Sequence, residues 1–158
     1  MNNGLVTSYP AILAIILKEI RLERNMHQAQ LADYIGISPA GWAKVEQGKS
    51  ALTMPTFLKA CSVLGIASSS IMATAERYAQ HFFNSQWAVL TEPQKFDDDH
   101  LLQRAADYYS KKKMNTPTIH YQNQFNQFVS IIQTPVMKPN NTIELTPVFY
   151  VVLNGELS

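Results

Sequence analysis

At 158 residues the chain has room for one compact domain, or for a small domain with a substantial extension. A composition of 46% hydrophobic and 16% charged residues excludes a chain disordered throughout, and the single cysteine, Cys61, excludes an intrachain disulfide and a thiolate metal site, so a reducing, cytoplasmic setting is expected. The net charge of +1 creates no large global field, so any affinity for nucleic acid must come from a local patch.

In chain order, residues 10–25 place Ile12, Leu13, Ile16, Leu17 and Ile20 at helical spacing, with Pro10 suited to a first turn, and predict a first helix. Ile15 lies off that stripe and is either singly exposed or in contact with another part of the molecule. The apolar run from Ala11 to Leu17 is far shorter than the about 20 residues a bilayer requires, and Lys18, Glu19 and Arg21 follow it at once, so no membrane span is expected.

From Gln28 to Ile35, residues Leu31, Ala32 and Ile35 line one face and Gly36 follows, which predicts a second short helix with a left-handed stop. Ser38 and Pro39 supply a cap and a first helical residue for a third, running to Gln47 and closed by Gly48. Thr53 caps a fourth helix to Leu64, with Phe57, Leu58, Cys61 and Leu64 inward and Gly65 as its stop, and Ser68 to Ser70 begin a fifth. The turn Gly36-Ile37-Ser38 is too short to bring its helices antiparallel, so they cross steeply as a helix-turn-helix.

Leu17, Ile20-Arg21, the block from Met26 to Ala32, Gly36-Ile37-Ser38, Val45-Glu46-Gln47-Gly48-Lys49, Phe57, Leu58 and Leu64-Gly65-Ile66 together resemble the Cro/CI-like, or Xre, helix-turn-helix family of prokaryotic and phage regulators over residues 11–72. The resemblance implies a lambda-repressor-like five-helix DNA-binding domain whose third helix enters the major groove of double-stranded DNA while the second crosses the backbone. By position, Ser38, Pro39, Ala40, Gly41, Ala43, Lys44 and Gln47 would then face DNA. Gln28 resembles the family's phosphate-binding glutamine, and Lys49 and Ser50 suit phosphate contacts. Arg21 and Glu46 resemble the family's ion pair between the first and third helices.

Three departures stand out. The tip of the third helix reads Pro39-Ala40-Gly41 and offers no side-chain donor or acceptor, leaving Lys44 and Gln47 as the evident candidates for hydrogen bonds to bases. Trp42 stands where the family has Ile or Val, either as a core aromatic or as a stacking surface for a ligand, and Gly41 beside it is a candidate for making room for the ring. His27 replaces the usual hydroxyl cap, so with Gln30 only half of a capping box remains.

After residue 72 the family resemblance ends, and most of the aromatic residues lie beyond it. Ile71, Met72, Ala75, Tyr78, Ala79, Phe82, Phe83 and Val89 recur at helical spacing through residues 71–90, a stripe fit for a dimer seam or a core, until Thr91-Glu92-Pro93 interrupts. Asp97-Asp98-Asp99 leads a further helix that ends in Lys111-Lys112-Lys113, a charge order that the helix dipole favours. A cation site of the three Asp with His100, or phosphate contact by the lysines, are the alternatives.

Residues 125–137 and 142–153 flank Lys138-Pro139-Asn140-Asn141 and predict a hairpin or small sheet, with Pro135 and Pro147 marking unpaired edges open to a partner strand. No glycine-rich phosphate loop, Cys/His cluster or Ser-His-Asp set is present, so neither an enzyme nor a bound cofactor or metal is expected.

The expected fold is mainly α: a DNA-binding domain over residues 1–72, then an α+β extension over residues 73–158 with a C-terminal β-hairpin or small sheet that dimerises or binds a partner. The function implied is that of a dimeric, sequence-specific transcriptional regulator, a repressor in particular. An antitoxin-like module whose C-terminal region binds a protein partner is the alternative.

Overall fold

The computed structural model describes residues 4–111, 121–122, 128–134, 136–137 and 143–154. The chain enters as strand β1 (Val6–Ser8) and turns directly into helix α1 (Tyr9–Glu23), where the Ser8 hydroxyl accepts from the Ala11 N–H at 3.2 Å and Pro10 sits in the first turn. Helices α2 (Gln28–Ile35), α3 (Pro39–Glu46), α4 (Met54–Leu64) and α5 (Ser68–Asn84) follow. Their starts have local causes. Ser38 Oγ accepts from the Gly41 N–H at 3.0 Å and Thr53 Oγ1 from the Thr56 N–H at 3.3 Å, while at α2 the His27 N–H donates to Gln30 Oε1 at 2.8 Å.

Helix α1 is the axis of the molecule. Ala11, Ile12, Ala14, Ile15, Ile16, Leu17 and Ile20 are all buried, and α3, α4, α5 and a later helix, α6 (His100–Lys111), pack around it. Ile15 is therefore a contact residue, bordering a cleft shared with α6. In α4 the buried face is Phe57, Ala60, Cys61 and Leu64, whereas Leu58, expected inward, is 48% exposed. The inward stripe follows i, i+3, i+4, i+7 from Phe57, and Leu58 falls one position off it.

Helix α5 stops at Asn84, short of the stripe expected to reach residue 90. Gln86 at φ 67° reverses the chain, Trp87 folds back edge-on to Phe82 with ring centroids 4.9 Å apart, and strand β2 (Ala88–Leu90) pairs in parallel with β1 in the register Val6–Ala88, Thr7–Val89, Ser8–Leu90. A 3-10 turn over Phe96–Asp98 leads into α6. Asp99 caps that helix, its Oδ1 accepting from the Leu102 N–H at 3.0 Å and from the Thr7 hydroxyl at 2.9 Å, and His100 Nδ1 accepts from the Val6 N–H at 3.0 Å. The acidic start of α6 thus also ties the helix to β1, and burial pushes the Asp99 carboxyl above its usual pKa. Lys111 ends the described part of α6; Lys112 and Lys113 lie outside the described residues.

Two short antiparallel ladders follow, β3 (Tyr121–Gln122) with β4 (Phe128–Val129) and β5 (Val136–Met137) with β6 (Ile143–Glu144). The turn expected at residues 138–141, and Pro135, lie outside the described residues. The second strand expected over residues 142–153 is corrected: it is limited to Ile143–Glu144, and Pro147–Asn154 is helix α7. Val148, Phe149 and Val152 are buried at i, i+1, i+4, and Pro147 sits at a first-turn position where no donor is needed, so the edge role expected of it falls away.

Helix α7 covers the aromatic stripe of α5. Phe149 stacks on Tyr78 with centroids 4.2 Å apart and meets Phe82 edge-on at 6.1 Å, while the Tyr78 hydroxyl bonds Thr134 and lies 3.3 Å from Thr146 Oγ1. Tyr78 and Phe82 are core; Met72 and Phe83, assigned to the same stripe, are exposed. Helix α5 runs through residue 72, and buried side chains on both sides of that position belong to one continuous cluster. Among the described residues no single helix is long and apolar enough to cross a membrane.

This wrapping encloses a carboxylate. Glu19 of α1 is 9% exposed and accepts from the Tyr109 hydroxyl at 2.7 Å. Desolvation, aided by Glu23, outweighs that hydrogen bond and the nearby Lys18 and Arg21, and raises the carboxyl from 4.5 to about 7. The folded chain then retains a proton that the unfolded chain has lost, so stability falls as pH rises from 4.5 through about 7. Replacing the carboxyl removes a difference of about 3 kcal/mol between the two ends of that window. Glu19→Gln should therefore gain on the native chain between pH 5 and pH 8 in urea unfolding midpoints, with the two chains converging at low pH.

Candidate nucleic-acid interface

The turn joining α2 and α3 is set by Gly36, whose φ of 91° closes α2 in the left-handed region while the N–H groups of Gly36 and Ile37 both return to the Ala32 carbonyl, at 2.8 and 3.0 Å. Ser38 then caps α3. The helix buries Trp42, Val45 and Glu46 and turns the rest of its surface outward. Ser38, Pro39, Ala40, Lys44 and Gln47 are exposed, with Gly41 and Ala43 half-buried, and Ala40, Ala43, Lys44 and Gln47 share one face at i, i+3, i+4, i+7. Lys49 and Ser50, both exposed, sit beside that face because their N–H groups return to the Lys44 carbonyl at 2.8 and 3.2 Å. Gly48, at φ 74°, allows this reversal, and it also makes room for Leu102 of α6, whose Cδ1 would lie 2.5 Å from any Cβ placed there.

Behind the outward face three helices meet at one carboxylate. Glu46 Oε2 accepts from Arg21 Nε at 2.6 Å and from Trp42 Nε1 at 2.7 Å, and its Oε1 accepts from Arg21 Nη2 at 3.1 Å and Gln28 Nε2 at 2.8 Å. Arg21 Nη1 goes on to the Met26 carbonyl at 2.7 Å, at the loop before α2. The bidentate pair is buried at both ends.

Several side chains of the expected DNA face thus have defined surroundings. Gln28, likened to a phosphate ligand, commits one of its two amide hydrogens to Glu46, leaving the other and the α2 N-terminus for an anion. Trp42 is fully buried and presents no open ring to a ligand. The space at Gly41 serves the cap rather than the tryptophan, since a Cβ there would meet Ser38 Oγ at 3.0 Å. That hydroxyl accepts from the Gly41 N–H and keeps its own hydrogen to donate, a polar group at a tip whose next three residues have none. Asp99 and His100, weighed as cation ligands, are directed to Thr7, Leu102 and Val6 instead.

The Gln28 and Trp42 bonds to Glu46 escaped the sequence reading. The Trp42–Glu46 spacing of four residues was a visible signal for one of them, because it puts both side chains on one helix face. The contact between Lys49 and Phe96, with the ammonium 5.2 Å from the ring centroid, had no local signal.

Residues 17–70 match a family model described as Helix-turn-helix. Over 56 residues the chain is 30% identical to the SPbeta prophage-derived uncharacterized HTH-type transcriptional regulator YonR of Bacillus subtilis (strain 168). That match covers 35% of this chain and 52% of the relative, so it spans about half the length of the protein it resembles. No solved structure matches the chain.

Glu46→Ala would strip the acceptor from three donor side chains and leave the buried Arg21 guanidinium without its carboxylate, an expected loss of about 3–5 kcal/mol in urea unfolding. Gln28→Ala removes one half-buried bond and should cost about 0.5–1.5 kcal/mol. Because both act through the same carboxylate, the double variant should be no less stable than Glu46→Ala alone; additive costs would show that the two side chains act independently.

Proposed function

Residues 17–70 are a helix-turn-helix domain, and from that premise we propose that the protein is a cytoplasmic, sequence-specific regulator of transcription that binds double-stranded DNA as a homodimer and acts as a repressor. The observation that carries the reading is the outward face of α3, which no other described part of the chain covers. In this reading α3 enters the major groove by its N-terminal end, Lys44, Gln47 and the Ser38 hydroxyl reach base edges, and Ala40 meets a thymine methyl. Pro39, Gly41 and Ala43 let the helix approach closely. Lys49, Ser50 and the N-terminus of α2 at Gln28 hold phosphates and fix the register.

A sparse set of base contacts makes the second half-site important, because each half adds its own discrimination. Residues 1–72 supply the reading head and residues 73–158 the pairing of copies. With Tyr78 and Phe82 enclosed by Phe149 and Trp87, that pairing falls to exposed apolar side chains such as Phe83, Leu90 and Tyr150. The apolar tip Pro39-Ala40-Gly41 favours the second reading, in which the extension binds a protein partner in the manner of an antitoxin and DNA contact is secondary.

Fluorescence anisotropy over a salt series, with duplexes from the gene's own upstream region and random duplexes of equal length, tests the choice. The regulator reading expects tighter binding to an upstream duplex. Lys44→Ala should lower that preference by about 1–3 kcal/mol, whereas Lys49→Ala should weaken both duplexes alike and reduce the salt slope by about 1. Equal affinity for both duplexes, unchanged by Lys44→Ala, would overturn it in favour of the partner-binding module.

A further inference from the structure

Behind the outward face of α3 a cleft of about 320 Å³ opens between the end of that helix, α1 and α6. Lys18, Gln47, Lys49, Phe96, Leu102 and Tyr109 make up the part of its wall that decides its chemistry. The volume is that of a small-ligand site, with room for about ten waters at ~30 Å³ each. Its apolar surfaces are the rings of Phe96 and Tyr109 and the Leu102 side chain, and Tyr109 is fixed in place by its bond to Glu19.

The charges of the cleft are one-sided. The carboxylate in its wall, Glu46, is taken up by Arg21, Gln28 and Trp42. Lys18 and Lys49 have no carboxylate within ion-pair distance among the described residues, where the ion pairs are Arg21–Glu46 and Lys111–Asp107. Each ammonium lies instead over an aromatic ring, Lys18 at 3.6 Å from the Tyr109 centroid and Lys49 at 5.2 Å from that of Phe96. Burial, with Arg21 nearby, holds the Lys18 amine below its ordinary pKa against the opposite pull of the Glu46 and Glu19 carboxyls.

We propose that this cleft binds a small organic carboxylate with an apolar body, the carboxylate meeting Lys18 and Lys49 and the body resting on Phe96, Leu102 and Tyr109. Inorganic phosphate satisfies the cations but leaves the apolar wall wet, and a neutral ligand does the reverse. Gln47 and Lys49 also belong to the outward face. Insofar as the proposed function holds, a carboxylate that engages Lys49 competes with a DNA phosphate for it, and the ligand releases DNA.

Calorimetry on the full chain with 2-naphthoate, 2-naphthamide and inorganic phosphate reads the site without DNA. Naphthoate should bind at least about tenfold more tightly than the amide, the worth of one favourable charge contact. Phosphate should bind more weakly than naphthoate. Lys18→Met, which keeps the packing stem, should bring naphthoate and amide together, and Ala106→Trp, which fills the cleft from an exposed position of α6, should abolish both while far-UV circular dichroism stays native. Absence of naphthoate binding, equal binding of the amide, or an unchanged Lys18→Met overturns the site. Saturating naphthoate should then lower affinity for upstream DNA several-fold in the native chain and not in Lys18→Met. Naphthoate binding with DNA affinity unaltered overturns the link alone, and naphthoate binding by a chain that binds no DNA overturns the regulator reading while supporting the site.

Discussion

The position of α3 depends on the Glu46 carboxylate. Helix α3 is only eight residues long, too short to be stable by itself, and its inward face offers Trp42 and Val45 as apolar contacts. Glu46 adds directional constraints to that packing: Arg21 fixes it against α1, Gln28 against α2, and Trp42 locks the tryptophan rotamer within the same helix. A rotation of α3 about its axis breaks the Arg21 and Gln28 bonds together, whereas apolar packing alone tolerates sliding. The outward residues inherit the constraint, because Ala40, Lys44 and Gln47 keep a fixed angular relation to Glu46 along one rigid helix.

The described residues outside α1 to α4 pack around this head rather than standing apart from it. The strand before α1 pairs with the strand after α5, Asp99 joins α6 to Thr7, and Leu102 of α6 fills the space over Gly48 directly behind the loop that carries Lys49. At the other end of α1, Glu23 accepts from the Ser130 hydroxyl at 2.7 Å and the Ile131 N–H at 2.6 Å, and Arg77 of α5 donates to the Ile132 carbonyl. Movements of α6 therefore reach the loop after α3 through direct packing. A ligand bound in the cleft at that junction would reach the outward face of α3 through direct packing, without a long relay.

How much of this was legible in the sequence follows from how local each determinant is. The starts of α3 and α4 were readable because Ser38 and Thr53 cap within three residues, and the turn at Gly36 because its left-handed backbone favours glycine. The β1–β2 pair was not, since three-residue strands carry almost no periodicity and the partners lie about eighty positions apart. Pro147–Asn154 was misassigned because its β-branched, apolar residues satisfy a strand and a buried helix equally until burial at Val148, Phe149 and Val152 selects one. The length of α5 was overestimated for a related reason: Val89 fits a helical stripe by spacing, and only the reversal at Gln86 places it in a strand. In the candidate interface the outward face was visible from the family pattern. The Gln28 bond to Glu46 was not, because it depends on how α2 and α3 cross.

The apolar tip of α3 gains a physical meaning from its cap. With Ser38 closing the first turn and Pro39 fixing φ at the next position, the helix end is rigid before any partner arrives, so little conformational entropy remains to be lost on docking. Ala40 and Gly41 keep the tip slim, which brings the backbone nearer to a groove floor than longer side chains permit. The cost of that closeness is a narrow vocabulary, since a thymine methyl and one hydroxyl discriminate less than a bidentate arginine or glutamine. A head built this way needs its phosphate contacts well placed to exploit so few base contacts. The loop of Lys49 and Ser50 is tied back to the Lys44 carbonyl rather than left free, so in the regulator reading the groove-facing residues and the phosphate-facing ones belong to one rigid unit.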